Sequence, residues 1–197
     1  IIKEKKISKN QIIEPEKLLS LINKLKGNKF IIDFLSCSVL NENIIRSKFK
    51  IINLDDPCYK LKSIKNSSEI KHMVNAHIKD GLALTKFIFW IKNTNKKRIT
   101  EIDAQNKLEK FRKVNKNYLF PSFNTIAGAG SNGAIVHYKA SKKSNKIINR
   151  NDIFLCDSGG QYKYGTTDVT RTICFSKPTS KIKNIFTRVL KGHIAVY

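Results

Sequence analysis

Acidic residues are scarce in this chain: 15 Asp and Glu stand against 38 Lys and Arg in 197 residues, a formal net charge of +23. Glycine and proline are scarce too, at 9 and 4, which excludes collagen-like and mucin-like sequences. With 41% hydrophobic residues, the composition argues against a wholly disordered chain, and the length is ample for a buried core. No apolar run approaches the roughly 20 residues that span a bilayer. Ile1-Ile2-Lys3-Glu4 offers neither an initiator Met nor the apolar region of a signal peptide. The expectation is a soluble, cytoplasmic protein and an internal piece of a longer chain.

Cysteine is used sparingly. Cys37, Cys58, Cys156 and Cys174 show no C-x-x-C spacing, so four reduced thiols are expected, not a zinc knuckle or a disulfide framework. Arginine is rarer than the charge suggests: only six of the 38 basic residues are Arg, the residue that grips phosphates and base edges bidentately. Lys, Ile and Asn make up 79 of the 197 residues. All three have codons built from A and T alone, so a low-GC genome yields this composition without selection for a polyanion. Neither a nucleic-acid nor a membrane partner is expected; a steep salt-dependent affinity for nucleic acid would show otherwise.

The first third alternates elements. Glu14 to Leu25 has helical spacing at Leu18, Leu19, Ile22 and Leu25 and closes at Gly27. Lys29–Phe34 reads as a strand, Glu42–Phe49 as a helix and Lys50–Leu54 as a second strand, a β-α-β pattern. From Asp55 to about Ile64 no periodicity is visible. The longest helix follows, with Asn66 and Glu69 in capping-box positions and an apolar face through Ile70, Met73, Val74, His77, Ile78, Leu82, Thr85, Phe89 and Trp90. His77 has no second ligand at i+4, and neither His72 nor His193 has a partner, so all three read as structural. Thr100 with Asp103 opens a second amphipathic helix through Leu108, Phe111 and Arg112.

From Tyr118 the texture changes to strands and turns: Ser122–Ala127 as a strand, Gly128–Gly133 as a turn and Ala134–Tyr138 as a strand. The glycines do not make a phosphate-binding loop, since no Lys-Ser/Thr follows and no helix opens there. Residues 139–150 read as a solvated basic connector. Thr179 caps a last helix with Ile182, Ile185, Phe186, Val189, Leu190 and Ile194 on its inner face.

Two carboxylates stand out between these elements. Ile153-Phe-Leu-Cys-Asp157 is an apolar strand ending in an acid, and Thr166 to Ile173 returns as a strand of β-branched residues. As a hairpin they bring Asp157 beside Asp168, with Asp168 on the face of Thr166, Thr170 and Thr172. Two acids on a largely buried sheet repel each other unless divalent cations sit between them, and carboxylate oxygens suit Mn²⁺, Zn²⁺ or Co²⁺. Hydrogen bonds to turn amides, or pairing with Arg171, would account for the same acids structurally.

The run Asp157-Ser-Gly-Gly-Gln-Tyr followed by Gly165-Thr-Thr-Asp-Val-Thr-Arg-Thr172 resembles the central motif of the Xaa-Pro aminopeptidases, in the creatinase/methionine-aminopeptidase "pita-bread" superfamily. Asp56-Pro57-Cys58, Ala76-His-Ile-Lys-Asp-Gly81, Thr100-Glu101, Leu108-Glu109 with Arg112, Asn132-Gly-Ala-Ile-Val-His-Tyr138 and Phe186-Thr-Arg-Val-Leu-Lys-Gly-His193 resemble further segments of that family. The resemblance implies an α/β (α+β) chain: residues 1–60 as the end of a creatinase-like N-terminal domain and 61–197 as the first half of a pita-bread catalytic domain. It implies that Asp157 ligates one metal, that Asp168 bridges two (most suitably Mn²⁺), and that His137 lies beside the substrate and steadies the tetrahedral intermediate. The implied reaction removes the N-terminal residue from peptides with proline second, by attack of a metal-bridging hydroxide. The family's remaining ligands, a His and two Glu, are not among these residues, and no Glu follows Glu109. The fragment is therefore expected to be inactive alone, and the full-length protein could be a homodimer. A prolidase-like dipeptidase and a catalytically dead binding module on the same fold stay open as alternatives.

Overall fold

The computed structural model describes residues 7–94 and 98–197; Ile1-Ile2-Lys3-Glu4, read above for a leader, lies outside them. The chain forms two compact units, Ile1–Lys65 and Asn66–Tyr197. In the first, Pro15 opens a 3-10 turn that runs into α1 (Leu18–Lys24). Gly27 then turns the chain at φ 116, a region where a side chain is strained. The strands β1 (Lys29–Ile32) and β2 (Lys50–Asn53) pair in parallel with Phe30 opposite Ile51, joined through α2 (Val39–Arg46). Ile22, Ile32, Ile45 and Phe49 make the core of this β-α-β unit. Helix α2 begins before Glu42 because the Ser38 hydroxyl caps it, accepting from Asn41 N at 3.3 Å. The aperiodic stretch after Asp55 also contains a helix, α3 (Pro57–Ser63). Asp56 caps it and Pro57 sits at its first position, but its 7 residues are too few to show a helical period.

The second unit starts with α4 (Ser67–Asn93) and α5 (Glu101–Lys113), both opened by the expected capping boxes, Asn66 with Glu69 and Thr100 with Asp103. Six strands follow: β3 (Tyr118–Pro121), β4 (Ile126–Ala129), β5 (Ile153–Ser158), β6 (Gly160–Tyr162), β7 (Gly165–Thr166) and β8 (Val169–Cys174). They form two antiparallel sheets, ordered β4-β5-β8 and β3-β6-β7. Leu84, Phe87 and Ile91 of α4 and Ala104 and Leu108 of α5 pack on Ala127, Ala129, Phe154, Cys156 and Ile173 of the first sheet. The four cysteines are free thiols, and burial pushes Cys156 up to about 11. Among the described residues no helix is long and apolar enough to cross a membrane.

Four local expectations are corrected. The buried stripe of α4 is Ala76, Asp80, Ala83, Leu84, Phe87 and Ile91, not the face through Ile70, Val74, Ile78, Leu82 and Phe89, each of which is at least 53% exposed. This helix has two apolar stripes, and the one that meets the sheet contains a charge. The inner face read for the last helix, α6 (Ser180–Val196), is likewise exposed at Ile185, Phe186, Val189, Leu190 and Ile194. Residues 134–138 are not a strand: the 3-10 turn Gly130–Ala134 follows β4, and His137 takes a left-handed φ of 53. Finally, the connector 139–150 is pinned to the helix layer, with Ile148 N donating to Ile99 O at 2.8 Å and Glu101 N to Lys146 O at 3.0 Å.

The two leucines of α4 provide a test. Leu84→Ala should cost about 2–5 kcal/mol in urea unfolding, whereas Leu82→Ala should stay within about 0.5 kcal/mol; a reversed order would place the core on the other stripe.

Candidate functional site

The two acid-bearing segments meet at the end of β5. The register sets Asp157 opposite Thr170 and Ser158 opposite Val169, so Asp168 falls one residue before β8 begins. Gly159 makes the crossing possible: a Cβ there would lie 1.9 Å from the Thr167 carbonyl oxygen and 2.2 Å from Ser122 Oγ. Hydrogen bonds lock this approach. Thr167 N donates to Gly160 O at 2.9 Å, Gly160 N donates to Thr167 Oγ1 at 2.9 Å, and Ser122 Oγ donates to the Thr167 carbonyl at 2.9 Å.

Asp157 is half-buried and accepts a hydrogen bond from Thr170 Oγ1 at 2.7 Å. Asp168 is exposed. Thr170 lies two residues beyond Asp168, so strand alternation carried one residue back sets both acids toward the same side of the sheet. Neither acid is buried: the strand ends here, and its rim meets solvent. Among the described residues no ion pair joins Arg171 to either acid, and its guanidinium donates to the Thr170 carbonyl at 2.8 Å. The pair offers hard oxygen donors suited to a divalent cation. Among the described residues no group of three or more His, Cys, Asp or Glu converges, so these acids fit part of such a donor set. His137 is exposed on its turn, and among the described residues no hydrogen bond or ion pair joins it to either acid. His77 bonds the Met73 carbonyl at 2.9 Å on its own helix, as a structural histidine does.

Beneath the acids lies a polar network that hydrophobic periodicity passes over. Arg112 grips Asp80 through two hydrogen bonds, Nε to Oδ1 at 2.7 Å and Nη2 to Oδ2 at 3.0 Å. The same Nη2 reaches Ser158 Oγ at 3.0 Å, and the Tyr162 hydroxyl donates to Asp80 Oδ1 at 2.7 Å. Asp80 and Arg112 are 0% and 1% exposed. Burial alone would raise the Asp80 carboxyl, but Arg112, with the Tyr162 and Thr167 hydroxyls, holds it below the usual range. Burial likewise opposes the charge on Arg112, and Asp80 restores it. Burial and the neighbouring Asp80 push Tyr162 up. Ser158 follows Asp157 and Thr167 precedes Asp168, so one buried pair fixes the backbone beside each acid. The signal for it was a charge inside an apolar stripe: Asp80 among Ala76, Ala83 and Leu84, and Arg112 spaced with Ala104 and Leu108.

With this geometry in view, likeness to known proteins is informative. The model of metallopeptidase family M24 matches residues 71–197. A protein of Paracoccidioides brasiliensis named probable Xaa-Pro aminopeptidase P is 46% identical over 150 residues, covering 75% of this chain and 24% of the relative. The solved X-prolyl aminopeptidase of Caenorhabditis elegans, described as a cytosolic enzyme with a di-nuclear active site, shares 34% identity at a TM-score of 0.63, over 71% of this chain and 23% of that one. Prolidase from Pyrococcus furiosus superposes at a TM-score of 0.74 with 26% identity, over 91% of this chain and 51% of that one. The chain spans about a quarter of the length of the curated relatives it matches.

Two outcomes follow from the packing. Gly159→Ala should disrupt the rim, with stability falling by more than about 4 kcal/mol or no soluble protein recovered; wild-type stability would contradict the close approach. Because the folded Asp80 carboxyl lies below its ordinary 3.8, its contribution is full above that value and fades as pH falls through the folded value. The stability gap between wild type and Asp80→Asn, from urea titrations, should therefore narrow as pH drops below about 4; a gap that widens there would contradict the assignment.

Proposed function

The chain belongs to metallopeptidase family M24, and from that premise we propose that the whole protein is a dinuclear metallopeptidase that releases the N-terminal residue from peptides with proline in second position. The observation that carries this reading is the meeting of the Asp157 and Asp168 segments, with Gly159 pressed on Thr167. The name of the fungal relative and the di-nuclear description of the nematode enzyme support it. In this reading Asp157 would hold one divalent cation and Asp168 would be shared between two, Mn²⁺ being the most suitable and Zn²⁺ or Co²⁺ the alternatives. When bound, such ions polarise a carbonyl and lower the pKa of coordinated water toward about 7.

The chain's own groups then have distinct work. Thr170 Oγ1 holds Asp157 Oδ1, which leaves the second carboxylate oxygen free for a cation. His137, exposed on its turn, donates a hydrogen bond to the oxygen on which charge develops. The amide to proline carries no N–H, so recognition must rest on the shape of the ring. Residues 1–197 alone supply only part of the donor set and are inactive. Cytosolic location and assembly as a homodimer belong to the same proposal.

A prolidase-like preference for dipeptides is the second reading, supported by the superposition on the Pyrococcus furiosus prolidase. Cleavage of an Xaa-Pro-Xaa tripeptide by the full-length protein, with little turnover of Xaa-Pro dipeptides, is the expected result; the opposite preference would establish the second reading. Asp168→Asn should lower kcat/KM by at least about 100-fold, the upper end for groups that merely support a metal ligand, and reduce bound metal. A fully active, metal-replete variant would remove Asp168 from the centre.

A further inference from the structure

Glu101, the first residue of α5, is 0% exposed, and among the described residues no Lys, Arg or His pairs with it. Its carboxylate is instead filled by donors. Oε1 accepts from Ala129 N at 2.8 Å and Asn132 Nδ2 at 3.0 Å; Oε2 accepts from the Tyr138 hydroxyl at 2.7 Å and Lys146 N at 3.0 Å. The N-terminus of α5 further favours negative charge there. A buried carboxylate without a cation is costly unless fully hydrogen-bonded, so the useful question is what these bonds hold in place.

They close around His137. Asn132 lies five residues before it and Tyr138 directly after it, and both are buried at 7% and 6% exposure. The Tyr138 hydroxyl is also 3.0 Å from the Ser144 carbonyl, and Tyr138 N donates to Ile135 O at 3.2 Å. Between these anchors Ile135 and Val136 are 52% and 83% exposed, so apolar burial does not hold the turn. Yet His137 sits at φ 53, a conformation that L residues keep only where the surroundings over-determine it. The polar network is what over-determines it here.

We infer that Glu101 is a positioning residue for His137: its carboxylate clamps Asn132 and Tyr138 and thereby fixes the backbone from which the imidazole is presented to the substrate. The inference rests on the reading that His137 faces substrate. Glu101 itself touches no reacting atom.

The test is a double-mutant cycle on the full-length protein, reading kcat/KM on an Xaa-Pro-Xaa tripeptide together with bound metal and thermal melting. Glu101→Gln, of equal size, turns one acceptor into a donor facing donors. It should lower kcat/KM about 10–100-fold, as loss of a group orienting a functional side chain does, with bound metal unchanged. In a His137→Ala background the same substitution should change kcat/KM less than about 3-fold, because both act through one element. Tyr138→Phe keeps the core filled and should show a smaller loss, again only while His137 is present. Equal losses in both backgrounds, or full activity of Glu101→Gln, would overturn the inference. If His137→Ala alone leaves kcat/KM intact, the assignment of His137 fails and this inference with it, an outcome distinct from equal losses in the cycle.

Discussion

The second unit is organised around the buried ion pair of Asp80 and Arg112. It joins the middle of α4 to the end of α5 and reaches Ser158 at the end of β5 and Tyr162 on β6. A charge pair so deeply buried adds little net stability over well-packed apolar residues, but removing one partner leaves an uncompensated charge and costs about 3–5 kcal/mol. Its value here lies in specificity. A guanidinium fork holds its carboxylate in one planar geometry, and here its Nη2 also bonds Ser158 Oγ at the end of β5. Gly159 and Thr167 close the same crossing from the other side. Ser158 and Thr167, the buried neighbours of the two carboxylates, are thus both held by hydrogen bonds.

The candidate chemistry of this chain rests on a few acids, despite the +23 charge. Asp80 and Glu101 lie buried beneath the two candidate functional regions, Asp80 matched by a cation and Glu101 by hydrogen-bond donors alone. Asp157 and Asp168 stand at the rim, half-buried and exposed. This division follows from solvation. A carboxylate at the rim sits where water, and in the proposed reading a cation, can reach it, whereas a buried one must be saturated by its partners. Membership of metallopeptidase family M24 accords with that arrangement.

What could be read from sequence was local and strongly patterned. Both capping boxes, the parallel β-α-β unit and the return of the chain from Asp157 to Asp168 depend on short-range rules that tertiary contacts leave alone. The failures share one cause, the assumption that apolar means buried. That assumption chose the wrong stripe of α4 and drew a strand through Ile135 and Val136, which lie exposed on a turn. Asp80, Glu101 and Arg112 stood out only through the family resemblance, and their burial and partners went unread. Partner choice for a buried charge is a long-range property: 32 residues separate Asp80 from Arg112, and no spacing rule connects them. The α3 helix was invisible for a different reason: its 7 residues make only about two turns, too few to show a period.

Metal affinity reports most directly on whether the buried pair organises the rim. The Asp80 oxygens are taken up by Arg112 and Tyr162, so in the proposed centre Asp80 would act on a cation through Ser158 and the neighbouring backbone and through the charge that its loss leaves uncompensated on Arg112. Calorimetric titration of Mn²⁺ into folded, full-length Asp80→Asn should show affinity weakened about 10–100-fold relative to wild type, the range expected when a supporting group is lost. Wild-type Mn²⁺ affinity in that variant would contradict the account.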